Sequence, residues 1–314
     1  MERFQGIAYL IGAFSLAGTS VIAARFVSSS LGTFTITAIS LFFTMLALLP
    51  LCVENLGKTI RQMVMRDWIL LLFQAMFGIF LFRMFLLLGL MHTSSGEAGI
   101  LTGATPAVTA LLARFVLKEP VYKKSLFGIF STVAGILLLQ GLLLPGSGFM
   151  VEHLIGNLLV LCAAVCESLF NIISRVNSLQ TVTAQTQPLD PLVQTTLVAG
   201  IALILCLIPS LLEHPLNSLA LLGIKQWLAL VWYGLFVTAL AFIFWYAGIK
   251  RCTAYTAAAF SGMMPFTSLI LSILILGEQI GWQQWSGGTL VVIGMLLIGA
   301  CSAKGETSKV DSLQ

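Results

Sequence analysis

Charged residues are scarce in this 314-residue chain, because they make up only 9% of it, whereas soluble domains carry about a quarter. Apolar residues make up 58% of the sequence, and the mean hydropathy is +1.01. This composition excludes most water-soluble enzymes and binding modules, and it predicts a chain embedded in a lipid bilayer. The net charge of +4 is too small for a nucleic-acid-binding surface, so no nucleic acid is expected as a partner.

Paired cysteines and nucleotide-binding loops are also missing. The six cysteines are scattered through apolar runs without C-x-x-C spacing, so neither a disulfide framework nor a metal site is predicted. No G-x-x-x-x-G-K-[ST] loop occurs, which argues against transport driven directly by ATP. His92, His153 and His214 lie in or near predicted loops, and the sequence places no metal set or nucleophile–base pair at matched depth in the membrane. An intramembrane enzyme is therefore disfavoured, and no cofactor is expected.

Long apolar runs fill the chain between short polar breaks. A helix needs about 20 apolar residues to cross a bilayer, and continuous apolar blocks favour helices over alternating strands. The expected fold is therefore an all-α integral membrane protein with ten transmembrane helices. The predicted spans cover residues 5–27, 33–53, 68–91, 95–117, 124–144, 154–177, 190–212, 226–249, 254–276 and 282–302.

Basic residues are distributed unequally between the two faces of this arrangement. With the N-terminus in the cytoplasm, twelve basic residues lie on the inner side and two, Arg25 and Lys225, on the outer side. This bias predicts a multi-pass protein of the cytoplasmic (inner) membrane with both termini in the cytoplasm. The inner residues are Arg3, Lys58, Arg61, Arg66, Lys118, Lys123, Lys124, Arg175, Lys250, Arg251, Lys304 and Lys309.

The second half of the chain repeats the first when the two are aligned so that Trp68 falls on Trp227. Because each half holds five spans, an odd number, the second half must enter the membrane from the opposite side. Two inverted five-helix repeats are expected, over residues 1–148 and 149–302, with a polar cytoplasmic tail at 303–314. Such repeats around a midplane site are typical of alternating-access transporters. The same alignment matches Gly89 with Gly248, Gly103 with Gly262, and Pro106 with Pro265.

One pattern occurs twice at identical spacing and resembles a known family. Its copies are Pro106…Leu117-Lys118-Glu119…Gly128…Gly135 and Pro265…Leu276-Gly277-Glu278…Gly287…Gly294. Over nearly its whole length the chain resembles the EamA family of the drug/metabolite transporter superfamily. The resemblance implies a ten-helix fold of two halves that transports a small metabolite, often by export. It also implies a central cavity lined by spans 1, 3, 4, 6, 8 and 9.

Glu167 is a candidate for the transport site because it lies about midway along span 6, close to the bilayer midplane. A carboxylate at that depth is costly unless it is paired, hydrated or protonated, which favours substrate binding or coupling to protons. Asn171 follows one turn later and continues the polar surface. The alternative is a hydrogen-bonded structural Glu that holds helices together.

Arg83 lies deep in span 3 and is the second charged candidate. If it lines a hydrated cavity, it can hold a substrate carboxylate or phosphate bidentately. Alternatively, it pairs with Glu97 at the outer start of span 4. Several further residues are candidates for lining the cavity or binding the substrate. The alternative for the aromatic candidate is that it only fills space, and the alternative for the hydroxyl candidates is a hydrogen bond to their own helix backbone. The further candidates are Gln74, Thr102, Thr238, Trp245 and Ser261.

Two prolines and two glutamates have expected structural roles. Pro106 and Pro265 fall mid-span, where each removes a helix hydrogen bond, so they predict a kink or a hinge, with simple packing as the alternative. Glu119 and Glu278 end spans 4 and 9. Their position predicts anions that cap the N-termini of spans 5 and 10.

These features together predict a secondary transporter that works by alternating access. The expected substrate is a small polar or amphipathic metabolite, with an amino acid or related compound as the leading candidate and export as the expected direction. Its driving force would be a proton gradient or the substrate's own gradient. An antiporter of a phosphorylated or nucleotide-linked metabolite is the alternative, and it needs at least two basic groups at the cavity. The substrate and the lipid bilayer are the expected partners. The sequence does not determine the oligomeric state, and a monomer is one alternative.

Overall fold

The structure is a computed structural model that describes residues 2–116, 123–139, 151–183, 189–251, 260, 263–279 and 281–311. Within these ranges the chain forms helices joined by short turns, and they contain no strand. The expected all-helical architecture is therefore confirmed for the described part of the chain.

The first half contains seven α-helices and one π-helical segment. They are α1 (Glu2–Ser28), α2 (Thr33–Gln62), α3 (Met65–Ala75), π1 (Met76–Leu81), α4 (Phe82–Leu90), α5 (Ser95–Thr102), α6 (Thr105–Val116) and α7 (Lys123–Leu139). The second half continues with α8 (Val151–Thr183), α9 (Pro191–Leu212), α10 (Pro215–Leu219), α11 (Ile224–Trp232), π2 (Tyr233–Leu240), α12 (Ala241–Arg251), α13 (Met263–Leu276) and α14 (Trp282–Asp311).

Six helical stretches of the described chain are long and apolar enough to cross a membrane, so this is a multi-pass membrane protein. They match six of the predicted spans. Phe4–Ser28, Thr33–Gln62, Met65–Leu90, His153–Ser174, Pro191–Leu212 and Ile224–Arg251 are the six stretches.

The other four predicted spans are not among these six membrane-length helices. The span predicted at 95–117 is interrupted at residues 103–104, where α5 ends and α6 begins. Those predicted at 124–144 and 254–276 lie partly outside the described residues, and α13 within the latter is a shorter apolar helix. The last predicted span begins α14, which continues as helix to Asp311, through most of the segment expected as a polar tail.

Helices of the two halves pack against each other in matching pairs. Helix α2 packs on α9, α5 on α13, and α7 on α14. Helix α1 packs on α12, and α4 packs on α8. The sequence alignment carries α1 onto α8, α2 onto α9, α4 onto α12 and α7 onto α14, so exchanging the two halves leaves four of these five pairs unchanged. The counterpart of the α5–α13 pair involves residues 254–261, most of which lie outside the described residues.

The two π-helical segments also occupy matching positions. The alignment of Trp68 with Trp227 carries residues 76–81 of π1 onto residues 235–240, which lie inside π2. Wide π turns inside α-helices are rare and are found frequently at functional sites. Residues of both π segments line the cavity described in the next subsection.

Small residues allow α5 and α13 to approach closely. A Cβ atom added at Gly99 would overlap the side chain of Ser268. Close backbone approach at small residues is a usual mode of helix packing in membranes, where the hydrophobic effect adds little between helices.

Candidate functional site

A cavity lies between the two halves of the chain. It has about 690 Å³ of space not filled by atoms, including its open mouth. The first half contributes residues from α1, π1 and α4, and the second half contributes residues from α8, π2, α12 and α13. Both π segments therefore line it.

The wall of the cavity is mostly apolar, with several aromatic residues, and carries a few polar groups. The aromatic residues without charge or hydroxyl are Phe14, Phe82, Phe170, Phe242 and Trp245. The polar ones are Ser20, Arg83, Glu167, Asn171 and Tyr233. A hydrophobic wall with few convergent polar groups is the usual composition of a small-molecule site.

Arg83 is the positively charged residue of this wall and is held rigidly. Its side chain is 3% exposed, and its guanidinium donates hydrogen bonds to Ser40 Oγ, at 2.7 Å, and to Thr238 Oγ1. The guanidinium Cζ lies 4.1 Å from the centroid of the Tyr233 ring. In the described residues it forms no ion pair, so a buried cation faces the cavity without a carboxylate of the chain beside it.

The ion pair between Arg83 and Glu97 that the sequence left open does not form. Glu97 accepts hydrogen bonds from Thr93 Oγ1 at 2.8 Å and from Gln284 Nε2 at 3.3 Å, and His153 Nδ1 lies 3.5 Å from it. These groups bring α5, α8 and α14 together at the helix ends. Glu97 bonds these groups and not Arg83, because it lies in the first turn of α5, away from the cavity.

Glu167 supplies the negative charge of the cavity. It is half-buried and accepts a hydrogen bond from Thr105 Oγ1 at 2.9 Å. The neighbouring Ser168 donates to the Thr105 carbonyl at 3.0 Å, so α8 is fastened to the start of α6 at two points. Asn171 lines the cavity one helical turn beyond Glu167.

The two candidate hinge prolines lie near helix starts. Pro106 is in the first turn of α6, directly after the break at residues 103–104. Pro265 is the third residue of α13 and is buried. A proline is tolerated in a first turn because its missing N–H would have no helical partner there. Pro106 therefore lies at an interruption of the helix, one residue from the hydroxyl that binds Glu167.

The remaining predicted site residues divide between the cavity and its surroundings. Trp245 lines the cavity, and Thr238 supports Arg83 from behind. Gln74 lies elsewhere, buried and accepting hydrogen bonds from Gln194 Nε2 at 3.1 Å and Tyr246 OH at 3.0 Å. Thr102 donates to the carbonyl of Gly99 at 2.7 Å in its own helix and does not line the cavity. Ser261 lies outside the described residues.

Sequence reasoning missed Ser20 and Tyr233. Both are buried and line the cavity, and their hydroxyls have no hydrogen-bond partner in the described residues. The indole N–H of Trp245 is likewise unpaired. Buried polar groups are normally paired, so these three groups are distinguished by having hydrogen-bonding capacity that no described residue satisfies. The repeat offered one signal for Tyr233, because it is the counterpart of Gln74 in the other half.

Glu278 caps a helix, but the prediction of which helix was wrong. Its carboxylate accepts the backbone N–H groups of Ser95, at 3.0 Å, and Gly96, at 2.8 Å, at the start of α5. The expected partner was the start of span 10, the next helix along the chain. Packing of α13 on α5 brings the carboxylate to the other half instead. Glu119 lies outside the described residues.

Known proteins similar to this chain are transporters by name. The "Uncharacterized transporter YetK" of Bacillus subtilis is 29% identical over 291 residues, which are 92% of this chain and 84% of that protein. A "Probable amino-acid metabolite efflux pump" of Salmonella typhimurium is 27% identical over 209 residues, 65% of this chain and 67% of its own length. The "Aromatic amino acid exporter YddG" of Ancylobacter novellus is 26% identical over 227 residues, 72% of each chain.

The similarity to a solved structure and to a family of transporters extends over most of the chain. One solved crystal structure covers 96% of this chain and 98% of its own, with a TM-score of 0.62 and 20% identity, a likeness of fold alone. The model of the EamA-like transporter family matches residues 4–140 and, separately, residues 154–300. The resemblance seen in the paired sequence pattern is thereby confirmed, and the chain belongs to the EamA-like transporter family.

Proposed function

We propose that this membrane transporter carries an amino acid or a closely related zwitterion, and that it does so by alternating access. The carrying observation is that Arg83, buried without an anionic partner in the described residues, and Glu167 line one cavity between the halves. A substrate with a carboxylate at one end and an ammonium group near it would pair with both. An isolated buried charge is costly, and a ligand of opposite charge offsets that cost.

The carboxylate end of the substrate would bind at Arg83. Two of the five N–H groups of its guanidinium bond Ser40 and Thr238, so the others are available for an anion. Tyr233 brings a hydroxyl without a partner in the described residues to the same cavity. Charge-assisted hydrogen bonds of this kind are about twice as strong as neutral ones.

The aromatic wall favours a substrate with an apolar side chain. Phe14 packs edge-on against Trp245, with ring centroids 5.6 Å apart, and Phe170 packs against Phe242, with centroids 5.6 Å apart. Burying an apolar side chain against such rings is favourable by about 1.5–3 kcal/mol. The names of two relatives, an amino-acid metabolite efflux pump and an aromatic amino acid exporter, agree with this substrate class.

The architecture that supports alternating access is a ten-helix bundle of two inverted five-helix repeats. The family model matches the chain twice, and the helix pairs and π segments match between the halves. Rocking of one half against the other would then expose the cavity to each side in turn. We further propose the cytoplasmic (inner) membrane as location, both termini in the cytoplasm, and export as the direction.

Glu167 is the proposed coupling residue. Its carboxylate lies at mid-helix depth with a single hydroxyl donor, Thr105, in the described residues. Proton uptake would neutralise it when no substrate ammonium is bound, so substrate and proton would compete for one site.

A phosphorylated or nucleotide-linked substrate fits this cavity less well. Such a substrate needs at least two cations, and among the lining residues Arg83 is the one cation. Glu167 would also repel a phosphate.

Binding to the purified protein tests the substrate class. We expect amino acids with aromatic or large aliphatic side chains to raise the melting temperature, because a ligand of the folded state stabilises it. Analogues that lack the carboxylate or the ammonium group should have much smaller effects. A panel in which no amino acid raises the melting temperature, or in which the single-charge analogues do so equally, would overturn the proposed substrate class.

A further inference from the structure

Two carboxylates of the second half bind the helix starts of the first half on one face of the bundle. We call it the capped face, and it is the face where α1 ends and where α2 and α5 begin. Glu278 accepts the N–H groups of Ser95 and Gly96 at the start of α5, at 3.0 and 2.8 Å. Glu213 accepts the N–H groups of Phe34 and Thr35 at the start of α2, at 3.1 and 2.7 Å.

These contacts supply what the helix starts lack. The first N–H groups of a helix have no partner within it, and a carboxylate there is stabilised by hydrogen bonds and by the helix dipole. The N-cap position of helix α2 is occupied by Gly32, which has no side chain to cap the helix. A Cβ atom at that position would overlap the carboxylate of Glu213. Thr35 Oγ1 donates a further bond to Glu213 at 2.7 Å.

The repeat provides the counterparts of both carboxylates for the opposite face. The alignment of the two halves carries Glu54 onto Glu213 and Glu119 onto Glu278. Glu54 is exposed and forms no hydrogen bond or ion pair with the described residues. Glu213 caps α2, and the repeat counterpart of α2 is α9. The start of α9 is capped by Asp190, the residue directly before it, which accepts a hydrogen bond from Leu192 N at 2.7 Å. Glu213 and Glu278 therefore link the two halves at the capped face, and Glu54 makes no such contact with the described residues.

We propose that Glu213 and Glu278 are positioning residues of the transport cycle that hold the capped face closed. They release α2 and α5 when the cavity opens to that side. Rocking of the halves separates the helix ends at one face, so it must break all five of these hydrogen bonds. The proposal rests on alternating access as proposed above. The distribution of basic residues predicts that the capped face is the outer one.

Labelling of a cavity cysteine tests the proposal without any substrate. Ala17 lines the cavity and is half-buried, so Ala17→Cys in a chain with its native cysteines replaced reports access to it. The reagent is a membrane-impermeant maleimide, applied to whole cells and to inverted vesicles. Glu213→Gln and Glu278→Gln, combined, keep side-chain size and remove both charges. We expect labelling from the capped face to rise at least tenfold, because the loss of even one charge-assisted hydrogen bond weakens the closure by about that factor.

Glu54→Gln is the matched control, because it changes the repeat counterpart of Glu213 on the opposite face. It should leave labelling from the capped face unchanged. If the combined Glu213 and Glu278 variant is labelled at the parental rate from both sides, or if Glu54→Gln has the same effect, the proposal is wrong. Parental and variant melting temperatures, measured on the same preparations, separate release of the face from unfolding, and a variant that is unfolded is replaced by the single substitutions.

A covalent link gives an independent test. Thr35→Cys with Glu213→Cys, joined by mild oxidation in the otherwise cysteine-free chain, should lock the capped face and abolish transport, with recovery on reduction. Transport at the parental rate by the cross-linked protein would overturn the role of this closure. Absence of transport in the parent with an intact labelling response would instead count against the proposed function.

Discussion

The guanidinium of Arg83 lies over the ring of Tyr233, with Cζ 4.1 Å from the ring centroid, and the two residues come from different halves of the chain. A cation over an aromatic face is attracted by the ring quadrupole, and the attraction grows when water is excluded. The hydroxyl of Tyr233 is buried without a partner in the described residues. The pair therefore presents a cation and a hydroxyl donor to one end of the cavity.

Tyr233→Phe keeps the ring under Arg83 and removes the hydroxyl. If that hydroxyl binds the substrate carboxylate, the dissociation constant should rise about tenfold, as expected for one hydrogen bond to a charged group. The dissociation constant is measured by titrating the protein with an amino acid that has been found to bind. Tyr246→Phe is the control, because Tyr246 bonds Gln74 and does not line the cavity. Equal effects of the two substitutions would contradict the assigned role.

Arg83→Lys keeps the positive charge and removes the planar fork of donors. A lysine cannot bond Ser40, Thr238 and a carboxylate in the same geometry, so we expect affinity to fall at least tenfold. Arg114→Lys is the matched change, because Arg114 is exposed on α6 and away from the cavity. Binding titrations of both variants check this. An Arg83→Lys protein with parental affinity would exclude bidentate binding.

Glu167→Gln keeps an oxygen that can accept the hydrogen bond of Thr105 and removes the charge. Transport should fall more than tenfold and should no longer respond to an imposed pH gradient, since the side chain cannot take up a proton. Flux into proteoliposomes with and without the gradient measures both effects.

Thr105→Val is the control for Glu167→Gln, because it removes the same hydrogen bond and keeps the carboxylate. It should preserve the response to the gradient. A Glu167→Gln protein that still couples to the gradient would show that the coupling residue is another group.

Pro106→Ala should make the interrupted helix more continuous. It restores an N–H donor beside the break at residues 103–104, so α5 and α6 can join with regular hydrogen bonds. We expect a higher melting temperature and severalfold slower transport, because the break adjoins the Thr105 hydroxyl that holds Glu167. Pro209→Ala, at a proline inside α9 and away from the cavity, should stabilise without slowing transport. Unchanged transport by Pro106→Ala would remove any hinge role.

Features that depend on averaging along the chain could be predicted from the sequence. Hydropathy over about 20 residues located six stretches that the structure shows as membrane-length helices. The depth of Arg83 and Glu167 within these stretches identified the two charges that the structure brings to one cavity. Both predictions rest on the high cost of a charge in lipid, which acts on each residue separately.

Features that depend on contacts between the halves could not be predicted in this way. The partner of Glu278 is remote in sequence, so the nearest helix start along the chain was the wrong choice. The π segments have no residue signature of their own, because a wide turn is stabilised by packing around it. Gln74 illustrates the same limit, since its depth resembles that of a cavity residue while its amide is bonded to Gln194 and Tyr246.

Exchange of an amino acid across a membrane tests the central claim most directly. Proteoliposomes loaded with an unlabelled aromatic or large aliphatic amino acid should take up the labelled one in a saturable manner. Arg83→Gln and Glu167→Gln should each reduce this exchange to the rate of empty liposomes, and Arg114→Gln should leave it unchanged. Exchange at the parental rate in both cavity variants, or no exchange of any amino acid by the folded parent protein, would contradict the account.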